Sequence, residues 1–255
     1  MFGALLIVAL PLAATFLALV ALLHHAGPAY TRVVAELTVT EPLLDFGGPG
    51  GLEQRVWRVP PAAALELADE LSSAHHYIAD GHHRVAAALA AWRLADEPDG
   101  SGVLCVVHPM DGLRLSAFHR RLQGPVELAA LRELLDPTFR VEDTTTRPTP
   151  DPGSFGLYAE RRWHVVTPRT AGEGLDVDLL QRAVLDETRH RVEIAPAKTP
   201  LEELTRRCDS DEGALFTLAP PPLAALTRLA DAGEVMPPKT TYFEPKPCAG
   251  IFRRP

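Results

Sequence analysis

The sequence predicts a mixed α/β fold with an apolar helix at its N-terminus. Three observations lead there. Short β-prone runs alternate with Ala- and Leu-rich helical stretches along most of the chain, residues 77–94 give a strand, a Gly-bearing turn and a helix in direct succession, and residues 1–23 contain no charged residue. With 255 residues and 46% hydrophobic composition, the chain can bury a sizeable core as one large domain or two small ones.

The first charge is Arg32, so residues 1–28 form an apolar segment. A bilayer-spanning helix needs about 20 apolar residues, and residues 1–23 meet that length with Pro11 as a tolerated kink. A membrane helix is therefore expected here, with a buried core helix as the alternative. A cleaved signal fits less well, because the start lacks basic residues. Residues 31–39 alternate as a strand, residues 53–59 as another ending at Pro60-Pro61, and residues 62–71 as an amphipathic helix. After the strand, turn and helix of 77–94 come an apolar strand at 103–108 and a turn at Asp111-Gly112. Residues 113–118 are expected to pair back on that strand as a hairpin. A helix over 126–135 and a short extended piece at 139–141 complete a first module spanning residues 33–143.

Residues 144–156 are rich in Thr, Pro and Asp without apolar periodicity, which makes them the expected linker. Beyond it a smaller α/β portion, residues 157–255, carries strands at 155–158, 162–167 and 213–218 and helices at 177–187, 202–207 and 222–232. Net charge is −8, which argues against non-specific nucleic-acid binding. Three widely spaced cysteines form neither a disulfide framework nor a CxxC metal knuckle and suit a reducing, cytoplasmic setting for the polar part, with the N-terminal segment as a possible anchor.

Residues 77–84, Tyr-Ile-Ala-Asp-Gly-His-His-Arg, are the best candidate site. A strand, a turn and a helix start put backbone N–H groups and the positive end of the helix dipole at one point, where an anion binds. Arg84 adds a fork that fits phosphate or carboxylate. His82 and His83 can donate to phosphate or exchange protons, since a free imidazole titrates near 6.5. Adjacent histidines at a helix start diverge, so no shared metal is expected. Asp80 is expected to cap the helix, with orienting a histidine or holding Mg²⁺ as its functional alternative. Two further groups join the candidate list. His119 and Arg120 lie in a Phe-His-Arg-Arg run, and Lys239, Thr240, Thr241, Tyr242 and Lys246 lie in a Pro-rich tail that holds two of only three lysines.

The YIADGHHRVAAAL run, the FHRRL run and GEVMPPKTTYFEPKP together resemble the family known as domain of unknown function 1015, with the similarity running from about Glu41 to Arg254. The DGHHR box is similar to that of ParB-like proteins, among them free-serine kinases, and the resemblance implies a ParB/sulfiredoxin-like module. It implies that Asp80, Gly81, His82, His83 and Arg84 cradle the phosphates of a nucleotide (ATP, ADP or CTP, possible Mg²⁺ included), with Asp80 and His83 in catalytic roles. The activity it implies is phosphoryl transfer to a small serine-like hydroxyl compound. The alternatives are a nucleotide-binding regulatory module without turnover, or a truncated member of the family. The family carries a polar region, the source of a catalytic acid in ParB-like kinases, where this chain is apolar, and Glu36 and Glu41 are the nearest candidates for that acid.

Overall fold

The structure, a computed structural model, describes residues 19–47, 53–96, 102–170, 175–234, 236–237 and 239–244, and the backbone of 6–8. They form a mixed α/β fold in two compact units, the first built from residues up to Arg114 and the second from Leu115–Glu244. Residues 144–156, the expected linker, fall inside the second unit. The reason is that the strands on either side of them both pair with one partner strand.

In the first unit, β1 (Leu6–Val8), β2 (Val20–His24), β5 (Tyr77–Asp80) and β6 (Cys105–Pro109) form a sheet in the order β1-β6-β2-β5. β2 runs parallel to β6 and antiparallel to β5, with a bulge between Ala21 and Leu22. The described parts of the apolar N-terminal segment are thus strands, which corrects the expected helix. An inner strand covered on both faces reads as an unbroken apolar run, and hydropathy alone cannot separate it from a buried helix. Val20, Leu23 and His24 are all buried. No helix among the described residues is long and apolar enough to cross a membrane.

Residues 28–38 correct a second expectation, since they form helix α1 (Pro28–Thr38) rather than a strand. Tyr30 and Val33 are buried together with Leu67 of α2 (Pro61–Ser73), a helical i, i+3 spacing that overrides the β-branched content. Neither helix of this pair has a side-chain cap of its own at its N-terminus. For α1 the missing acceptor comes from α2: Glu70 takes the N–H groups of Ala29 at 2.7 Å and Tyr30 at 3.1 Å. A Cβ at Gly27 would run into that carboxylate. A two-stranded ribbon, β3 (Leu44–Gly47) with β4 (Glu53–Val56), and helix α3 (His82–Leu94) complete this unit.

The second unit is built on an antiparallel six-stranded sheet. Its members are β8 (His119–Gln123), β9 (Phe139–Thr144), β10 (Phe155–Ala159), β11 (Arg162–Pro168), β12 (Arg191–Ala195) and β13 (Ala214–Leu218), in the order β12-β8-β13-β10-β11-β9. Alternation along the inner strands sends side chains to two faces. Phe155, Leu157, Phe216 and Leu218 enter the main core beside Leu131 and Leu135 of α4 (Leu128–Leu135). On the other face, Tyr158 and Leu215 meet Leu204 and Cys208 of α6 (Leu201–Asp211). The helix expected at 177–187 starts as α5 (Asp176–Leu180) and widens into a π-helical turn over Gln181–Leu185, and α7 (Leu223–Asp231) follows β13. The expected hairpin between 103–108 and 113–118 does not form: β7 (Arg114–Ala117) pairs with β14 (Thr241–Glu244).

Candidate functional site

β5 ends at Asp80 and α3 starts at His82, so the whole turn is Gly81. Its backbone sits at φ 100°, ψ 22°, a left-handed conformation that costs glycine little. The Gly81 carbonyl accepts from the N–H groups of Arg84 and Val85, both at 2.9 Å, which closes the first turn of the helix. No side chain caps α3, and no acidic residue lies in its first turn. The positive end of its dipole is therefore not offset by the helix's own residues. His82 and His83 are exposed beside it.

Asp80 does not cap the helix, which corrects that expectation. Its Oδ2 instead lies 3.3 Å from Nη2 of Arg84, one helical turn on. The other end of the Arg84 fork, Nη1, donates to the Leu19 carbonyl just before β2. The guanidinium thus packs under the turn, within reach of where a Cβ on Gly81 would stand. Arg84 holds the turn against the sheet rather than projecting from it.

The other candidates belong to the second unit. The His-Arg-Arg part of the Phe-His-Arg-Arg run opens an inner strand, β8. Arg121 is buried and matched by charge: Nη1 lies 3.0 Å from Glu193, Nη2 lies 2.5 Å from Asp211, and Nη2 also donates to the Arg207 carbonyl at 3.0 Å. Asp211 in turn accepts from the N–H groups of Gly124 and Gly213. Arg120 points to the other face, is only 2% exposed, and bonds the carbonyls of Phe118 at 3.0 Å and Lys239 at 3.1 Å. Burial pulls its guanidinium down to about 10. His119 accepts the Leu218 N–H at Nδ1, 3.3 Å away. Burial, then the charge of Arg120, lowers this imidazole to about 4, so it is neutral near pH 7 with its proton on Nε2.

Arg120 brings the lysine-bearing tail to β8. Lys239 sits at φ 59° with its ammonium 5.8 Å from the centre of the Phe118 ring. Thr240 is buried and donates to the Pro237 carbonyl at 2.6 Å. Thr241 and Tyr242 open β14, where Tyr242 meets Phe118 edge-on at 6.2 Å and lies 5.4 Å from the Lys198 ammonium. Lys246 lies outside the described residues.

His24 is a residue that sequence reasoning misses. It is fully buried in the first unit, with both ring nitrogens lacking a partner among the described residues and its ring 4.9 Å from that of Tyr30. Burial, then His76, holds it below its ordinary pKa. Its place in a continuous apolar run disguised it as another core position. Among the described residues no three His, Cys, Asp or Glu side chains converge as a metal site.

Comparison with known proteins gives a family and loose structural likenesses. SbnI from Staphylococcus aureus, with a C-terminal truncation, is 16% identical, with a TM-score of 0.42 over 94% of this chain and 82% of that one. A mutant free serine kinase in complex with ADP is 16% identical, with a TM-score of 0.41 over 88% and 83%. A conserved hypothetical protein from Pyrococcus furiosus is 17% identical, with a TM-score of 0.37 over 66% and 70%. ADP is a ligand of the kinase and is no observation about this chain. No curated protein matches. The family match covers residues 13–194, so it takes in part of the apolar segment that the resemblance left out and stops short of the lysine-bearing tail. The chain belongs to the family described as protein of unknown function, DUF1015.

Proposed function

We propose that this protein binds a nucleotide through its phosphate groups at the turn between β5 and α3. The observation that carries this reading is the glycine-only turn at φ 100° leading into a helix without a side-chain cap, with His82 and His83 exposed beside it. Phosphate oxygens suit the first-turn N–H groups and the dipole, and the two imidazoles add donors at the rim. Arg84 acts indirectly: tied to the Leu19 carbonyl and Asp80, it fixes the turn and places positive charge beneath it.

The finer reading is phosphoryl transfer. The oxygen of a small serine-like hydroxyl compound attacks the terminal phosphorus, the bond to the bridging oxygen breaks toward the nucleoside diphosphate, and the hydroxyl proton passes to His83 or Asp80. The ion pair of Asp80 with Arg84 favours the second reading, a nucleotide-binding regulatory module without turnover, because it commits that carboxylate to holding the turn. Calorimetric titration with ATP, ADP and CTP tests the shared first step, and absence of binding to all three refutes both readings. With binding established, phosphorylated product from a panel of hydroxylated metabolites selects transfer, and binding without product or hydrolysis selects the regulatory module.

A further inference from the structure

We infer that the second unit carries its own oxyanion site, built on Arg120 and Lys239, that takes the carboxylate or phosphate group of a small molecule. It stands on the second unit's residues alone and does not depend on the nucleotide reading of the β5–α3 turn.

The argument starts from charge. Arg120 and Arg121 are neighbours on one strand and both are buried, yet their surroundings are opposite. Arg121 has two carboxylates, Glu193 and Asp211. Among the described residues, Arg120 has only the dipoles of the carbonyl oxygens of Phe118, His119 and Lys239. A guanidinium has more N–H donors than those carbonyls satisfy, and a buried cation without a counter-charge is a costly arrangement. Carbonyls orient such a group without neutralising it.

The residue whose carbonyl takes the second arm of the fork carries a charge of the same sign. The carbonyl that Arg120 holds belongs to Lys239, whose ammonium lies over the Phe118 ring and pairs with no carboxylate among the described residues. The local acid, Glu244, is taken by Lys198 at 2.8 Å. His119 is neutral, and its Nε2 proton adds a donor without adding charge. Arg120 thus bonds the carbonyls of both Phe118 and Lys239, and the Lys239 ammonium stands over the Phe118 ring, which Tyr242 meets edge-on. A fork and a flexible ammonium together match the geometry of a carboxylate or phosphate. The backbone holds Lys239 in place, since its left-handed φ is fixed between the bond to Arg120 and the buried, hydrogen-bonded Thr240.

The test is an amide NMR titration of the full chain with inorganic phosphate and, separately, sodium acetate, against sodium chloride of matched ionic strength. The Leu218 and Thr240 amides report this site, and those of Gly81, His82 and His83 report the turn of the first unit, so either reading can fail alone. The expected result is a saturable shift at Leu218 and Thr240 with a millimolar midpoint, weakened at least about fivefold in Lys239→Met, an exposed position whose replacement leaves the core intact. Saturation with phosphate alone assigns a phosphorylated ligand, and with acetate alone a carboxylate. Responses to both ions at Leu218 and Thr240 no larger than with chloride overturn the proposal, as does an unchanged midpoint in Lys239→Met.

Discussion

Replacing Gly81 by alanine tests the candidate turn most directly. At φ 100° an L-residue is strained whatever the space around it, at a cost of about 1 kcal/mol. At Gly81 there is also no room: the new Cβ would stand 3.3 Å from both Arg84 Cζ and Val20 Cγ2. Val20 is fully buried on the inner strand β2, and Arg84 is held by Leu19 and Asp80, so neither neighbour retreats freely. Crowding of this kind adds about 1–3 kcal/mol, for a total near 3 kcal/mol. Gly112 supplies the control inside the same unit. Its φ is 89° but nothing lies within 4 Å of its Cβ position, so Gly112→Ala carries only the conformational cost. Urea denaturation of the two variants measures the difference, expected at about 2 kcal/mol. Equal losses would falsify the claim that Arg84 and Val20 enclose the turn.

The remaining predictions concern the elements that support the two units. His108 is 5% exposed, and burial, then His24, pushes it down to about 4. The unfolded chain takes up a proton near 6.5 that the folded chain refuses until about 4, so this group's contribution falls as pH drops between those values, by up to about 3 kcal/mol, and is constant above and below. Denaturant midpoints at pH 7 and pH 5 should show this loss, and His108→Gln should reduce it, the remainder coming from His24 and His119; an identical pH slope in that variant refutes the assignment. Asp211→Ala should cost about 3 kcal/mol, because it removes one counter-charge of buried Arg121 and the acceptor of the Gly124 and Gly213 N–H groups. A loss below about 1 kcal/mol in thermal unfolding would show that Glu193 suffices. Glu70→Ala should cost about 1–2 kcal/mol by uncapping α1, and hydrogen exchange should quicken first at Ala29 and Tyr30. Unchanged exchange there would mean that water replaces the carboxylate.

Where local chemistry decides the structure, the sequence reads correctly. Asp-Gly ahead of an Ala-rich run gives strand, turn and α3, and the strands read at 155–158 and 162–167 are β10 and β11. Where position in the fold decides, it misleads. Residues 20–23 are apolar in an inner strand, β2, whose successive side chains Leu23 and His24 are both buried, a fact of position in the fold that no window of hydropathy contains. Residues 28–38 carry β-branched side chains, yet pack as a helix because Tyr30 and Val33 meet Leu67. β8 fails for the opposite reason: His-Arg-Arg reads as surface, and only partners 72 and 90 residues away for Arg121, and 119 away for Arg120, make it interior.

Three arginines lie in the two His-Arg motifs, and composition cannot rank them. Their counter-charges can. Arg84 is half-buried and has one carboxylate, Asp80, plus a backbone carbonyl; Arg121 is buried and has two carboxylates; Arg120 is buried and has none among the described residues. A cation matched inside the protein gains little from a ligand, because an incoming anion must compete with a partner already in place. The sequence points to Arg84 as the anion-binding fork. The charge balance instead makes Arg84 the support of a backbone site and leaves Arg120 as the guanidinium whose charge a ligand would complete.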